Sequence, residues 1–257
     1  MITKQDLVEN WLPRYTGTAL DAFGRQILLT NFTNYVEIFA DLHDVPVDGR
    51  DRPMPNATAE DITIINFGMG SANAATIMDL LSAIDPRAAL FLGKCGGLKR
   101  KNKIGDLILP IAAIRGDGTS DDYMPPEVPA LPSFDLQRAV SHTVREYDFD
   151  YWTGTVYTTN RRVWEHDDHF KETLLATRAM AIDMETATIF ITGFANEIPR
   201  GALLLVSDQP MIPEGVKTEE GDSSVTSDFA ETHVKIGIDS LEEIRDQRRS
   251  VKHLRFA

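Results

Sequence analysis

Two carboxylates stand where a carboxylate is costly unless it works. Glu185 follows Met184 at the start of an apolar helical run carrying Ile189, Phe190 and Phe194, so its side chain is expected to be half buried. Asp208 ends Leu203-Leu204-Leu205-Val206-Ser207, which reads as a buried strand. Burying a carboxylate is unfavourable unless hydrogen bonds or a ligand satisfy it. Such a pair suits cleavage of a glycosidic bond. The transition state has oxocarbenium character, so one carboxylate can hold the sugar while the other protonates the departing group. Plainer readings stand beside these. Glu185 fits a first-turn glutamate favoured by the helix dipole, although Asp183 fits that description better. Asp208 fits a residue that caps the next turn.

Two glycine clusters and several cations surround the carboxylates in the sequence. Gly68-Met69-Gly70 follows a strand-like run and precedes a helical one, so its backbone N–H groups can meet an anion. A tight turn for close packing explains it at least as well. It lacks the third glycine of a dinucleotide fingerprint, which excludes a nicotinamide cofactor. In Gly93-Lys94-Cys95-Gly96-Gly97, Lys94 lies among small residues at a strand end. It either aims a cation into a ligand crevice or snorkels past the turn, and the motif alone weighs these equally. Arg115-Gly116-Asp117-Gly118-Thr119-Ser120 supplies a guanidinium and two hydroxyls, a set suited to phosphate or ribose, or simply a polar turn.

The elements that must position these residues read as an α/β fold. Ile62–Phe67 is a β-branched strand, and Ala74, Ile77, Met78, Leu81 and Ile84 repeat at helical spacing before Pro86. Ala88–Leu92 is a second strand, so the segment is a βαβ unit within a mostly parallel sheet. Ligands bind such sheets at the carboxyl ends of the strands, where both glycine clusters fall. Two further strands are expected within 106–115, a strand over 151–159, helices over 134–147 and 164–179, and a strand over 201–207. A polar loop is expected over 211–224, then a closing helix over 228–248. Residues 44–60 read as a loop. No internal repeat or interdomain linker is visible, so one domain over 1–257 is expected.

Composition sets outer bounds. The 257 residues are 42% hydrophobic and 25% charged, ordinary for a globular protein, with a formal net charge of -13. That charge argues against a nucleic-acid partner. The basic run Lys99-Arg100-Lys101-Asn102-Lys103 has no interleaved aromatics and reads as a solvated loop. A single cysteine, Cys95, rules out an intramolecular disulfide and fits a reducing cytoplasm. No apolar run is long enough to span a membrane. His166 and His169 have metal-compatible spacing but sit among aspartates on what reads as a solvated helical face, so no metal is expected.

Taken in order, Gly68-Met69-Gly70, Gly93-Lys94-Cys95-Gly96-Gly97 leading to Ile104-Gly105-Asp106, Asp183-Met184-Glu185 and Val206-Ser207-Asp208 resemble the nucleoside phosphorylase and nucleosidase family. The likeness covers roughly residues 25 to 245. It implies a single-domain three-layer α/β/α fold with a mixed, mostly parallel central sheet. Within the family, the segments 115–123, 152–164 and 182–188 are similar to members that hydrolyse AMP. The resemblance implies that Glu185 binds the ribose hydroxyls, Met184 packs under the sugar and Ile182 lines the base pocket. Asp208 would donate to purine N7 while water attacks the anomeric carbon. Gly70, Gly96, Thr119, Ser120 and Tyr157 join the implied substrate-binding set.

Departures from the family pattern are informative. Its phosphorylases hold inorganic phosphate with an arginine and a serine, whose places fall at Phe91 and Lys94 here. Their phosphate-binding segment near the N-terminus is replaced within 30–35. Both changes favour hydrolysis. Lys94, Arg115, Arg161, Arg162 and Lys217 are the candidate cations for a 5′-phosphate. The resemblance further implies no cofactor and a homo-oligomer, a hexamer built as a trimer of dimers, with Arg14 and His43 as possible donors to a neighbour's site.

Overall fold

A computed structural model describes residues 2–212, 215 and 219–246. Helix α1 (Lys4–Thr16) starts from a capping box in which Thr3 and Asp6 exchange hydrogen bonds, and it stops at Gly17 in the left-handed region. Strand β1 (Gln26–Thr30) and helix α2 (Thr33–His43) follow. The segment read as a loop over 44–60 holds a short strand, β2 (Asn56–Ala59), before β3 (Ile62–Asn66). Helix α3 (Ser71–Leu80) leads to β4 (Ala88–Gly97).

The stretch expected to hold two strands is one, β5 (Leu107–Gly116). Pro110 does not end it, because the register shifts between Pro110 and Ala112 against its neighbour. Helix α4 (Phe134–Glu146) and strand β6 (Tyr151–Thr159) lie where expected. Helix α5 (Asp168–Thr177) begins four residues later than the expected 164, at an Asp167 cap, which leaves Trp164 in a loop. Then come β7 (Ala181–Asp183), too short for a sequence pattern, α6 (Thr186–Ala195), β8 (Arg200–Asp208) and α7 (Glu219–Asp246). The closing helix thus starts well before residue 228 and takes in part of the segment read as a polar loop.

The eight strands form one mixed, mostly parallel sheet in the order β2-β3-β1-β4-β7-β6-β5-β8. Strand β4 also pairs with β8, so the sheet closes on itself through β4, β7, β6, β5 and β8. Helices cover both faces, as the resemblance implied. Successive strand residues point to opposite faces. Ile27 and Leu29 enter a core shared with α1, α3 and α6. Leu28, between them, enters a second core shared with α2, α4 and α7. Closing the ring brings the ends of β4, β7 and β8 together. Gly96 pairs with Ile182 on one side and Asp208 on the other. That crowding requires glycine, since a Cβ at position 96 would lie 2.8 Å from Pro210.

Candidate active site

A cleft of about 120 Å³, open to solvent, lies where these strand ends meet. Its walls include Ile182, Met184, Glu185, Asp208, Lys94, Gly96, Arg161 and Arg162 from the expected set.

Glu185 sits at the N-terminus of α6 and is 2% exposed. Gly70, at φ 92°, turns its backbone N–H to Glu185 Oε1 at 2.7 Å, and Met184 N–H donates to Oε2 at 3.3 Å. The Asn31 side chain lies beside this carboxylate and favours its charged form. Gly70 therefore acts beside the carboxylate rather than on the cleft wall. Ser71 Oγ donates to Met184 O at 2.7 Å, which fixes the turn between β7 and α6 against α3.

Asp183 lies beneath, fully buried. It accepts from Thr158 Oγ1 at 2.7 Å, from Thr186 N–H at 2.8 Å, from Glu185 N–H at 3.3 Å and from the Thr186 hydroxyl. It is the helix-start carboxylate that the sequence suggested. Burial raises its pKa even against these donors. Burial, reinforced by the Asp183 charge, likewise raises that of Glu185.

Asp208 ends β8 and is mostly buried. Ser207 Oγ donates to Asp208 Oδ1 at 2.7 Å, so the carboxylate is held in one orientation. Lys94 is not in a turn. Strand β4 continues through the glycine cluster to Gly97, and the lysine is 8% exposed with Nζ 4.5 Å from the centre of the Phe32 ring. Arg161 and Arg162 are at the rim, half exposed, and pair with Asp167 at 2.9 Å and Glu165 at 3.6 Å.

Other expected residues lie elsewhere. Arg115 is buried but does not line the cleft. Its guanidinium donates to Ser120 Oγ, Asp121 Oδ1 and the carbonyls of Met124, Pro125 and Val128. Ser120 is in turn bound to Asp117 at 2.8 and 2.9 Å, and Thr119 opens the same short turn. Arg115 and Ser120 thus tie down the 117–128 loop, and none of the three lines the cleft. Tyr157 packs edge-on against Phe170 and behind the Trp164–Ile182 cluster, and does not line the cleft. Lys217 lies outside the described residues.

Sequence reasoning missed Asn31, Phe32, Met69, Thr159, Trp164 and Glu165 as cleft residues. Trp164 joins Ile182 in a small apolar cluster with Leu98 and Leu174, which makes one end of the cleft hydrophobic. Nothing in the local pattern marks these positions, because strand pairing brings them together: Asn31, Phe32 and Met69 follow the parallel strands β1 and β3, and the others come in through the sheet closure. Asn31 and Phe32 do fall in the 30–35 segment where the family pattern departs. Among the described residues, no group of three or more His, Cys, Asp or Glu is placed to hold a metal, and no helix is long and apolar enough to cross a membrane.

This architecture, with a strand-end aspartate and a buried helix-start glutamate at the closure of a mixed sheet, defines a class. The model of the phosphorylase superfamily matches residues 30–241, and the chain belongs to that superfamily. Among its relatives, the AMP nucleosidase of Escherichia coli K12 is 31% identical over 282 residues, covering 91% of this chain and 58% of the relative. The chain thus spans little more than half the length of that protein. The crystal structure of AMP nucleosidase from Bacteroides thetaiotaomicron VPI-5482 is 58% identical, with a TM-score of 0.86, covering 96% of this chain and 100% of that one. Uridine phosphorylase from Vibrio fischeri ES114, at 18% identity and a TM-score of 0.77, shares the fold.

Proposed function

We propose that the chain hydrolyses the N-glycosidic bond of AMP, giving adenine and ribose 5-phosphate. The observation that carries this reading is one cleft holding a strand-end carboxylate, a buried carboxylate and three cations, Lys94, Arg161 and Arg162. The likeness to AMP nucleosidases from two bacteria supports the same substrate.

In this reading the base enters the apolar end beside Trp164 and Ile182. The sugar rests on Met184, with its hydroxyls donating to Glu185. A carboxylate already fixed by the Gly70 and Met184 N–H groups presents its remaining lone pairs without reorganising. As the C1′–N9 bond breaks, Asp208 gives a proton to N7, so the base leaves neutral. Water adds to C1′ from the opposite side, and the proton it loses restores Asp208 through solvent. Phe91 and Lys94 stand where the family's phosphorylases carry an arginine and a serine. Phe91 is wholly buried against Phe67, 5.7 Å between ring centres, and so offers nothing to a second anion.

The chain is read as one catalytic domain that acts as a cytoplasmic homo-oligomer, a hexamer.

The test is product identity. AMP and adenosine are each incubated with the protein, with and without inorganic phosphate. Adenine and ribose 5-phosphate from AMP at a phosphate-independent rate are expected. A sugar product phosphorylated at C1, or adenosine turned over as well as AMP, overturns the reading.

A further inference from the structure

Two buried polar groups behind the cleft take no part in the mechanism above. Tyr35 on α2 and His233 on α7 are 0% and 1% exposed. Their contact joins the two helices across the second core. The Tyr35 hydroxyl lies 3.0 Å from His233 Nδ1, and His233 Nε2 lies 3.0 Å from the carbonyl oxygen of Leu203 in β8.

These two distances fix where the protons are. A carbonyl oxygen only accepts, so Nε2 carries the imidazole proton. Nδ1 then has a lone pair, and the tyrosine hydroxyl must donate to it. With its one proton committed toward His233, the Tyr35 oxygen presents only lone pairs to its remaining surroundings.

The Tyr35 ring borders the Lys94 pocket. The Phe32 ring, whose face meets the Lys94 ammonium at 4.5 Å, packs against the Tyr35 ring at 5.5 Å between centres. The charge of Lys94 reaches His233 and helps burial to hold the imidazole neutral. A neutral imidazole, an acceptor-only hydroxyl and an aromatic face are together what a buried ammonium needs around it.

We propose that Tyr35 and His233 are positioning residues for Lys94. The carbonyl–imidazole–hydroxyl chain sets the Tyr35 oxygen as a fixed acceptor, so that the ammonium is held in place and aimed at the substrate's anionic group. This rests on the reading above that the cleft takes a phosphate-bearing substrate.

The test uses Tyr35→Phe, which keeps the ring, and His233→Gln, whose amide can still donate to Leu203 and accept from Tyr35. His233→Leu can do neither. Steady-state kinetics on AMP are combined with inhibition by ribose 5-phosphate, which carries the anion, and by adenine, which does not. Tyr35→Phe and His233→Leu should raise KM and weaken ribose 5-phosphate inhibition about tenfold, with adenine inhibition unchanged and His233→Gln near wild type. In a Lys94→Met background, Tyr35→Phe should add nothing further. Equal loss of adenine and ribose 5-phosphate binding, or an undiminished Tyr35→Phe effect without Lys94, overturns the proposal. Wild-type protein that releases no adenine from AMP would instead overturn the functional reading beneath it.

Discussion

Glu185→Gln separates what this carboxylate does for turnover from what it costs the fold. The side chain is buried, accepts Gly70 N–H at 2.7 Å and Met184 N–H at 3.3 Å, and sits above buried Asp183. Its pKa is raised from the ordinary 4.5, by burial first and by the Asp183 charge second. The folded state therefore binds more protons than the unfolded state once pH exceeds 4.5. Stability from such a group is fully present below the unfolded value and is lost as pH rises through the folded one. One proton corresponds to a slope of about 1.4 kcal/mol per pH unit. Glutamine removes that slope and also relieves Asp183. It introduces one mismatch, because an amide NH₂ must face one of the two backbone donors, at about 1–3 kcal/mol. The expected result is a crossover. The variant is the less stable protein at low pH, and it gains on wild type steadily as pH rises above 4.5. Urea unfolding of ligand-free protein at a series of pH values measures both curves. AMP turnover by the variant falls at the same time, since an NH₂ takes the place of one of the two oxygens that can accept from ribose hydroxyls. A difference curve that is flat, or that slopes the other way, would refute the view that burial holds a proton on this pair.

Two shorter predictions test the remaining assignments. Asp208→Asn keeps the shape of the strand end but cannot give up a proton, so kcat should fall by ~10²–10⁴ with the fold intact by circular dichroism. Near-normal turnover removes Asp208 from the role of acid. Arg115→Lys replaces a five-donor fork with a single ammonium, so several of the loop carbonyls and the Ser120 oxygen lose a donor. The melting temperature should drop while KM for AMP stays within about twofold, because the residue is away from the cleft; a tenfold rise in KM with unchanged melting would put Arg115 back at the phosphate.

Much of the site was legible because it depends on local pattern. A hydrophobic run that stops at an aspartate and a helix that opens with Asp-Met-Glu are visible one element at a time, and both land at the cleft. Asp183 could also be sorted from Glu185 by chemistry alone, since a helix start needs one acceptor, and Asp183 takes the N–H groups of Glu185 and Thr186. Arg115 was misplaced for a physical reason. The three carbonyls that capture it belong to Met124, Pro125 and Val128, and carbonyl capture leaves no mark in side-chain types. Strand β4 was read as ending at Leu92 because Gly-Lys-Cys-Gly-Gly looks like a turn. Pairing with β7 and β8 keeps it extended, and that pairing exists only once the sheet closes. Trp164 reaches the cleft through the same closure, and Phe32 through the parallel pairing of β1 with β4.

The fold also ranks the cations that the sequence could only name together. Arg161 and Arg162 are half exposed and already paired with Asp167 and Glu165. An ion pair in that setting is worth about 0–1 kcal/mol and weakens with salt. Either arginine can gain from a phosphate only by exchanging one weak partner for another. Lys94 differs from them in burial, at 8% exposed. Burial strips most of its hydration, so an anion that reaches it meets a charge with little solvent screening. In the proposed reaction, discrimination of a nucleotide from a nucleoside therefore falls mainly to the cation on the floor of the cleft, while the rim arginines raise the rate of encounter. An acidic protein of net charge -13 needs that help, because its overall field repels the substrate it is proposed to bind.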